Sequence, residues 1–206
     1  MTIIQIGSHI GNTNNDPIFN TITNNDNLIL VEPVPYLFEL LKENYNKKYP
    51  NNNIIFINKA VSNYIGEINL NIPSIKNDFS KLPFWASQLS SVNNEHINIH
   101  ILNQPLLKDI ITENITAQTT TLNEIVKEYN IDNIDFLHTD TEGHDYTILK
   151  DYNFLVKPKK IMFEHKHIDG TFTVGEKYID LITLLKNKNY EIVHQDTEDT
   201  TLILKD

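Results

Sequence analysis

Apolar and polar positions follow two different periods along the chain, and the switches between them mark the elements. Thr2 to Ile6 is a short apolar run closed by Gly7, which predicts an N-terminal strand and a tight turn. Asp16-Pro17 predicts a helix start, with Asp as the cap and Pro at the first helical position. Leu28 to Val31 predicts a second strand that ends at Glu32 and is stopped by Pro33. Tyr36, Leu37, Leu40, Leu41 and Tyr45 then recur at helical spacing, giving an amphipathic helix to about Lys48. Ile54 to Ile57 is the third strand. Strands alternating with helices in this way imply a parallel sheet covered by helices.

Beyond it, Ala60-Val61-Ser62-Asn63 and Gly66 to Leu70 predict an antiparallel pair turning around Tyr64 to Gly66. The pattern weakens over 71–105, although Ile97 to Ile101 alternates like a strand. That stretch, with Phe79, Leu82, Phe84 and Trp85, fits an insertion that is either a mobile lid over a pocket or an ordered excursion. Thr121-Leu122-Asn123-Glu124 is a capping-box pattern opening a helix through Tyr129. A strand over Asn133 to Thr139, a helix over Asp145 to Tyr152 and a strand over Lys160 to Glu164 follow. A helix from Gly175 to Lys188 is expected to bury Tyr178, Ile179, Ile182 and Leu185. Tyr190 to Val193 and Thr200 to Leu204 read as a closing antiparallel pair. No internal segment has the composition of a linker, so residues 1–206 are read as one domain.

Composition narrows the chemistry. Seventeen Lys and Arg against 27 Asp and Glu leave a net charge of −10, a mean field that repels nucleic-acid phosphates. The absence of Cys removes disulfides, thiolate metal sites and cysteine nucleophiles. No signal-peptide pattern is seen, and no apolar run approaches the roughly 20 residues of a bilayer span. The expectation is a soluble cytoplasmic protein with no membrane insertion; oligomeric state is not legible.

In a wound α/β sheet, ligands sit beyond the carboxyl ends of the strands. Three polar clusters fall there. Gly7-Ser8-His9-Ile10-Gly11 follows the first strand, and its glycines permit a tight turn against a ligand. It lacks the lysine of a nucleoside-triphosphate phosphate loop. Glu32 ends the second strand, where a carboxylate can accept both hydroxyls of a ribose. The third cluster is Asp140, Glu142, His144 and Asp145, joined by Glu164, His165 and His167 from the next strand end. Asp140 or His165 could take a proton from a hydroxyl nucleophile, and Gly143 frees the chain to turn sharply. The same carboxylates and imidazoles also suit a divalent ion, although their spacing matches no standard zinc signature. His96 and His194 read as surface residues, and His100 is open in either direction.

Ile134-Asp135-Phe136-Leu137-His138-Thr139-Asp140-Thr141-Glu142-Gly143-His144-Asp145 resembles the central motif of the FkbM-type methyltransferases. Thr121 to Ile125, Val31 to Phe38, Asn58 to Ser62 with Gly66 to Ile68, and Ile161 to His165 resemble further segments of that family, in the family's order. The resemblance implies a class I Rossmann-like methyltransferase fold: an α/β, mostly parallel seven-stranded sheet, ordered 3-2-1-4-5-7-6, with the last strand antiparallel and helices on both faces. It implies S-adenosylmethionine as cofactor, with Gly7, Ser8, His9 and Gly11 near its methionine part, Glu32 on its ribose, and Lys59 and Ala60 near its adenine. His138, beside Asp140, falls in the same cofactor region. Two positions depart from the family: Gln5 replaces an aspartate and His138 a lysine.

The reaction this implies is methyl transfer to a hydroxyl oxygen of a small-molecule or glycan acceptor, with Asp140 as base, His165 as second candidate and Glu142 in catalysis or bracing the loop. Two other readings use the same residues. One is an inactive Rossmann-like binding protein, suggested by Gln5 and His138. The other is a metal-dependent enzyme, either a glycosyltransferase using Asp140 and Glu142 or a hydrolase built on the histidines.

Overall fold

A computed structural model describes residues 1–13 and 16–205. Its main sheet has seven strands, β1 (Thr2–Ile6), β2 (Asn27–Val31), β3 (Asn53–Ile57), β7 (Phe136–Thr139), β8 (Lys160–Glu164), β9 (Tyr190–Gln195) and β10 (Asp199–Leu204). They lie in the order β3-β2-β1-β7-β8-β10-β9. β10 runs antiparallel to both neighbours and the other pairings are parallel. This is the Rossmann-like methyltransferase sheet, last strand reversed.

The strand sequences explain which sides are covered. In β2, Leu28 and Leu30 face one way and join the cluster with Leu41 and Tyr45 of α1 (Pro35–Lys48). Ile29 and Val31 face the other way, with α3 (Leu122–Glu128), α4 (Asp145–Asp151) and α5 (Glu176–Asn187). A strand buried on both faces must be apolar at successive positions, as Asn27-Leu28-Ile29-Leu30-Val31 is after its first residue. α1 starts at Pro35 in its first turn and carries Lys47 and Lys48 in its last, where cations suit the carbonyl end of the helix. α3 is capped as expected, Thr121 Oγ1 accepting from the Glu124 amide at 3.0 Å.

Several expectations are corrected. Residues 17–21 form turns rather than a helix, while Asp16 Oδ1 accepts from the Ile18 and Phe19 amides as a cap would. β4 (Ala60–Val61) and β5 (Gly66–Pro73) do not pair with each other. Both pair with β6 (Thr112–Thr120), in a separate three-stranded sheet of order β4-β6-β5. β6 escapes a reading by hydrophobicity because only Ile115 and Ala117 are apolar in its nine residues. Ile97 to Ile101 lies in a helix, α2 (His96–Asn103), not in a strand. In α5 the buried residues are Leu181, Ile182 and Leu185, and Ile179 is 64% exposed.

The long antiparallel pairing of β5 and β6 brings Pro73 opposite Thr112. Everything between is therefore an ordered excursion from the end of one ribbon. It has a small core of its own, Ala86, Leu89, Ile97 and Leu107. It is tied back to β5 by a bridge between Asn71 and Ser91, and to the loop after β7 by Ser91 Oγ, which donates to the Glu142 carbonyl at 2.8 Å.

Candidate active site

The strand order reverses between β1 and β7, and the loops after these two strands are packed together. The Asp140 amide donates to the Ile6 carbonyl at 3.0 Å, and the Gly7 and Ser8 amides donate to the Val31 carbonyl. Gly7 has φ +80°, and a Cβ on it would lie 1.8 Å from the Asp140 carbonyl oxygen, so no other residue fits. Gly143, at φ +103°, approaches the His167 carbonyl in the same manner. These two contacts hold Asp140 and Glu142 at the mouth of the crevice.

Two cavities meet there. The first is lined by Gly7, His9, Glu32, Lys59, Ala60 and His144, with Val61 and Leu70 on its apolar side. The second, of about 390 Å³, lies under the excursion and is lined by Trp85, His100, Glu164, Lys166, His167 and Phe172. Asp140, Glu142 and Gln88 line both.

Glu32 is buried, and its carboxylate accepts from the His9 amide at 2.9 Å and the Val34 amide at 2.8 Å, one on each oxygen. Each oxygen keeps a lone pair for a further donor. Burial pushes its pKa up to about 7, against the two amide bonds. Asp140 is raised well above the ordinary carboxylate range, first by burial and then by the charges of Glu142 and Asp145. Glu164 is raised by burial and by Glu142 and Asp140. Asp145 lines neither cavity and braces the loop, accepting from the Thr141 hydroxyl at 2.6 Å and the Thr141 amide at 3.2 Å.

The expected site residues do not all gather at the crevice. Gly7, His9, Glu32, Lys59, Ala60, Asp140 and Glu142 line the cavities. Ser8 is buried, its hydroxyl donating to the Gln5 carbonyl, and Gly11 packs on Tyr45 and Leu41. His138 is buried beside Gln5, 3.4 Å away, and lines neither cavity. Burial, and after it the Lys160 ammonium, holds its imidazole down at about 4, so it carries none of a lysine's charge. The Gln5 amide donates to Asp16 at 2.8 Å, so a carboxylate still stands beside the position that lost one. His165 is buried against Tyr178 with Nδ1 3.0 Å from Thr200 Oγ1, and it too reaches neither cavity.

His96, expected at the surface, is 1% exposed. It stands with His100 and His167 around Glu142, with His96 Nε2 2.8 Å and His167 Nε2 3.6 Å from Glu142 Oε2. Burial comes first among the causes that hold His100 at about 4 and His167 at about 3, so both rings are neutral near pH 7. His194 is exposed, as expected.

The chain matches the methyltransferase FkbM domain over residues 5–192. It belongs to the FkbM methyltransferase family. Among solved structures, the FkbM methyltransferase of Methylobacillus flagellatus KT superposes with a TM-score of 0.54 at 13% identity, covering 99% of this chain and 43% of that one. The chain thus spans less than half the length of that relative. The Methanococcus jannaschii fibrillarin pre-rRNA processing protein gives 0.48 at 12% identity, over 98% of this chain and 66% of that one. A Bacillus cereus O-methyltransferase solved with S-adenosylhomocysteine gives 0.47 at 9%, over 99% and 74%. Among curated proteins, none matches the chain. No helix among the described residues of this FkbM-family chain is long and apolar enough to cross a membrane.

Proposed function

We propose that this FkbM-family chain moves a methyl group from S-adenosylmethionine to a hydroxyl oxygen of a sugar or other small acceptor. The observation that carries the reading is the meeting of two unlike cavities at Asp140 and Glu142. One holds a buried carboxylate with free lone pairs at the end of β2, and the other is walled by aromatic rings.

The first cavity fits the cofactor by the chemistry of its lining. Glu32 would accept the ribose hydroxyls, Ala60, Val61 and Leu70 would flank the adenine, and Gly7 and His9 would face the methionine part. When bound, the cofactor supplies an electrophilic methyl group on a cationic sulfur. Asp140, shared by both cavities, faces the acceptor's hydroxyl and receives its proton, a task for which its raised pKa suits it. Trp85 and Phe172 offer flat apolar faces on which a sugar ring or aromatic acceptor stacks. Holding both reactants in adjoining cavities replaces a bimolecular encounter by a positioned one.

The test is transfer of a labelled methyl group from S-adenosylmethionine to a panel of sugars, phenols and polyketide-like alcohols. Asp140→Asn should lower kcat by about 10²–10⁴-fold, the range of one general base. A panel that stays unlabelled with protein that binds the cofactor would favour the inactive binding protein.

A further inference from the structure

The second cavity has a feature that methyl transfer does not call for. α2 sets His96 and His100 one turn apart on the same face, and that face meets Glu142 from the loop after β7. Ligand atoms of His96, His100, Glu142 and His167 lie within 4.8 Å of one another. We propose that His96 Nε2, His100 Nε2 and Glu142 Oε2 form a binding site for one divalent cation of the zinc type.

Three observations carry this. The same three atoms are buried and without a hydrogen bond, a costly state for polar atoms that a cation would relieve at once. His96 Nε2 stands 2.8 Å from Glu142 Oε2 without the alignment of a hydrogen bond. His96 Nδ1 lies 2.9 Å from Thr171 Oγ1; with the ring proton there, Nε2 presents a bare lone pair. A hydroxyl or carbonyl on the far nitrogen is the outer contact that orients metal-binding histidines. Two imidazoles and one carboxylate suit a borderline ion over Mg²⁺ or Ca²⁺, which prefer all-oxygen sites.

His167 plays a different part. The Phe172 amide donates to its Nδ1 at 2.9 Å, which places the ring proton on Nε2. That N–H faces Glu142 at 3.6 Å and Glu164 at 3.5 Å. The ring therefore steadies the carboxylates from outside the coordination shell. Three protein ligands leave a position for water or an acceptor oxygen, as in catalytic rather than structural zinc sites. Because Glu142 and His100 line the second cavity, that position faces it. The site stands on its own geometry; only the use of its open position by an acceptor rests on the methyl-transfer reading.

The experiment is titration of the chelator-treated 206-residue chain with Co²⁺, followed by visible ligand-field absorption and by competition with Zn²⁺. Elemental analysis should give one ion per chain, and Zn²⁺ should raise the Tm. His96→Ala and His100→Ala should each weaken binding by about 100-fold or more, beyond the 10–100-fold typical of outer contacts, and His167→Gln by about 10-fold. Glu32→Gln should leave metal binding unchanged, so a failed cofactor site and a failed metal site give different results. No ligand-field spectrum with wild-type protein, binding that survives both alanine variants, or a preference for Mg²⁺ would each overturn the site. Should the alanine variants not fold, the wild-type titration decides alone.

Discussion

Glu32, proposed above to accept the ribose hydroxyls, is a carboxylate whose burial has a cost. Its pKa is raised to about 7 by burial, so folding favours its protonated form. The stability tied to this group is fully present below the ordinary pKa of a glutamate and is lost as pH rises through about 7. Glu32→Gln removes that loss. The variant should gain on wild type between pH 5 and pH 8, by up to about 3 kcal/mol at 1.36 kcal/mol per pKa unit, read from urea melts at both pH values. A difference that does not change with pH would contradict the raised pKa. Asp140 argues in the same direction for activity. Its carboxyl is held protonated above the ordinary range, so turnover should climb with pH as the proton leaves, and Asp140→Asn should flatten that limb.

At the scale of elements, the turns that set the site tolerate little. Gly7→Ala would drive a Cβ into the Asp140 carbonyl from a left-handed backbone, and it should yield insoluble protein or a Tm far below wild type. Thr121→Ala removes one cap bond at the start of α3 and should cost only about 1 kcal/mol in a denaturant melt. Legibility divides along the same line. Strands β1, β2, β3 and β8 are short apolar runs between breakers and are read nearly to the residue. α2 is not, because Ile97-Asn98-Ile99-His100-Ile101 satisfies a period of two as well as it does a helix. Reading it as a strand separates His96 from His100; as a helix the same residues share a face. Tertiary packing on Leu89 and Leu107 settles the matter, and no local pattern carries that information.

For the whole molecule, the succession of elements implies a parallel sheet with ligands beyond its carboxyl ends, while the strand order is legible only through the family resemblance. Glu32 and Asp140 were legible there as residues ending strands. His138 and His165 line neither cavity: His138 lies within β7, buried beside Gln5 of the neighbouring strand, and His165, one residue beyond Glu164, is buried against Tyr178 and Thr200. The insertion over 71–105 is legible as a break in the pattern, but the separate β4-β6-β5 sheet that carries it is not, since β5 and β6 pair across a long stretch of intervening chain. The net charge of −10 makes its own prediction. The protein should not retard RNA or DNA in a gel even at low salt, where phosphate contacts are strongest.

The most direct measurement is calorimetric titration of the folded protein with S-adenosylmethionine and S-adenosylhomocysteine, beside Glu32→Ala. Both ligands should bind, with affinity weakened in the variant by about 10–100-fold, the worth of hydrogen bonds to a charged group. Absence of binding by folded wild-type protein, or equal binding by the variant, would contradict a cofactor site built on the end of β2.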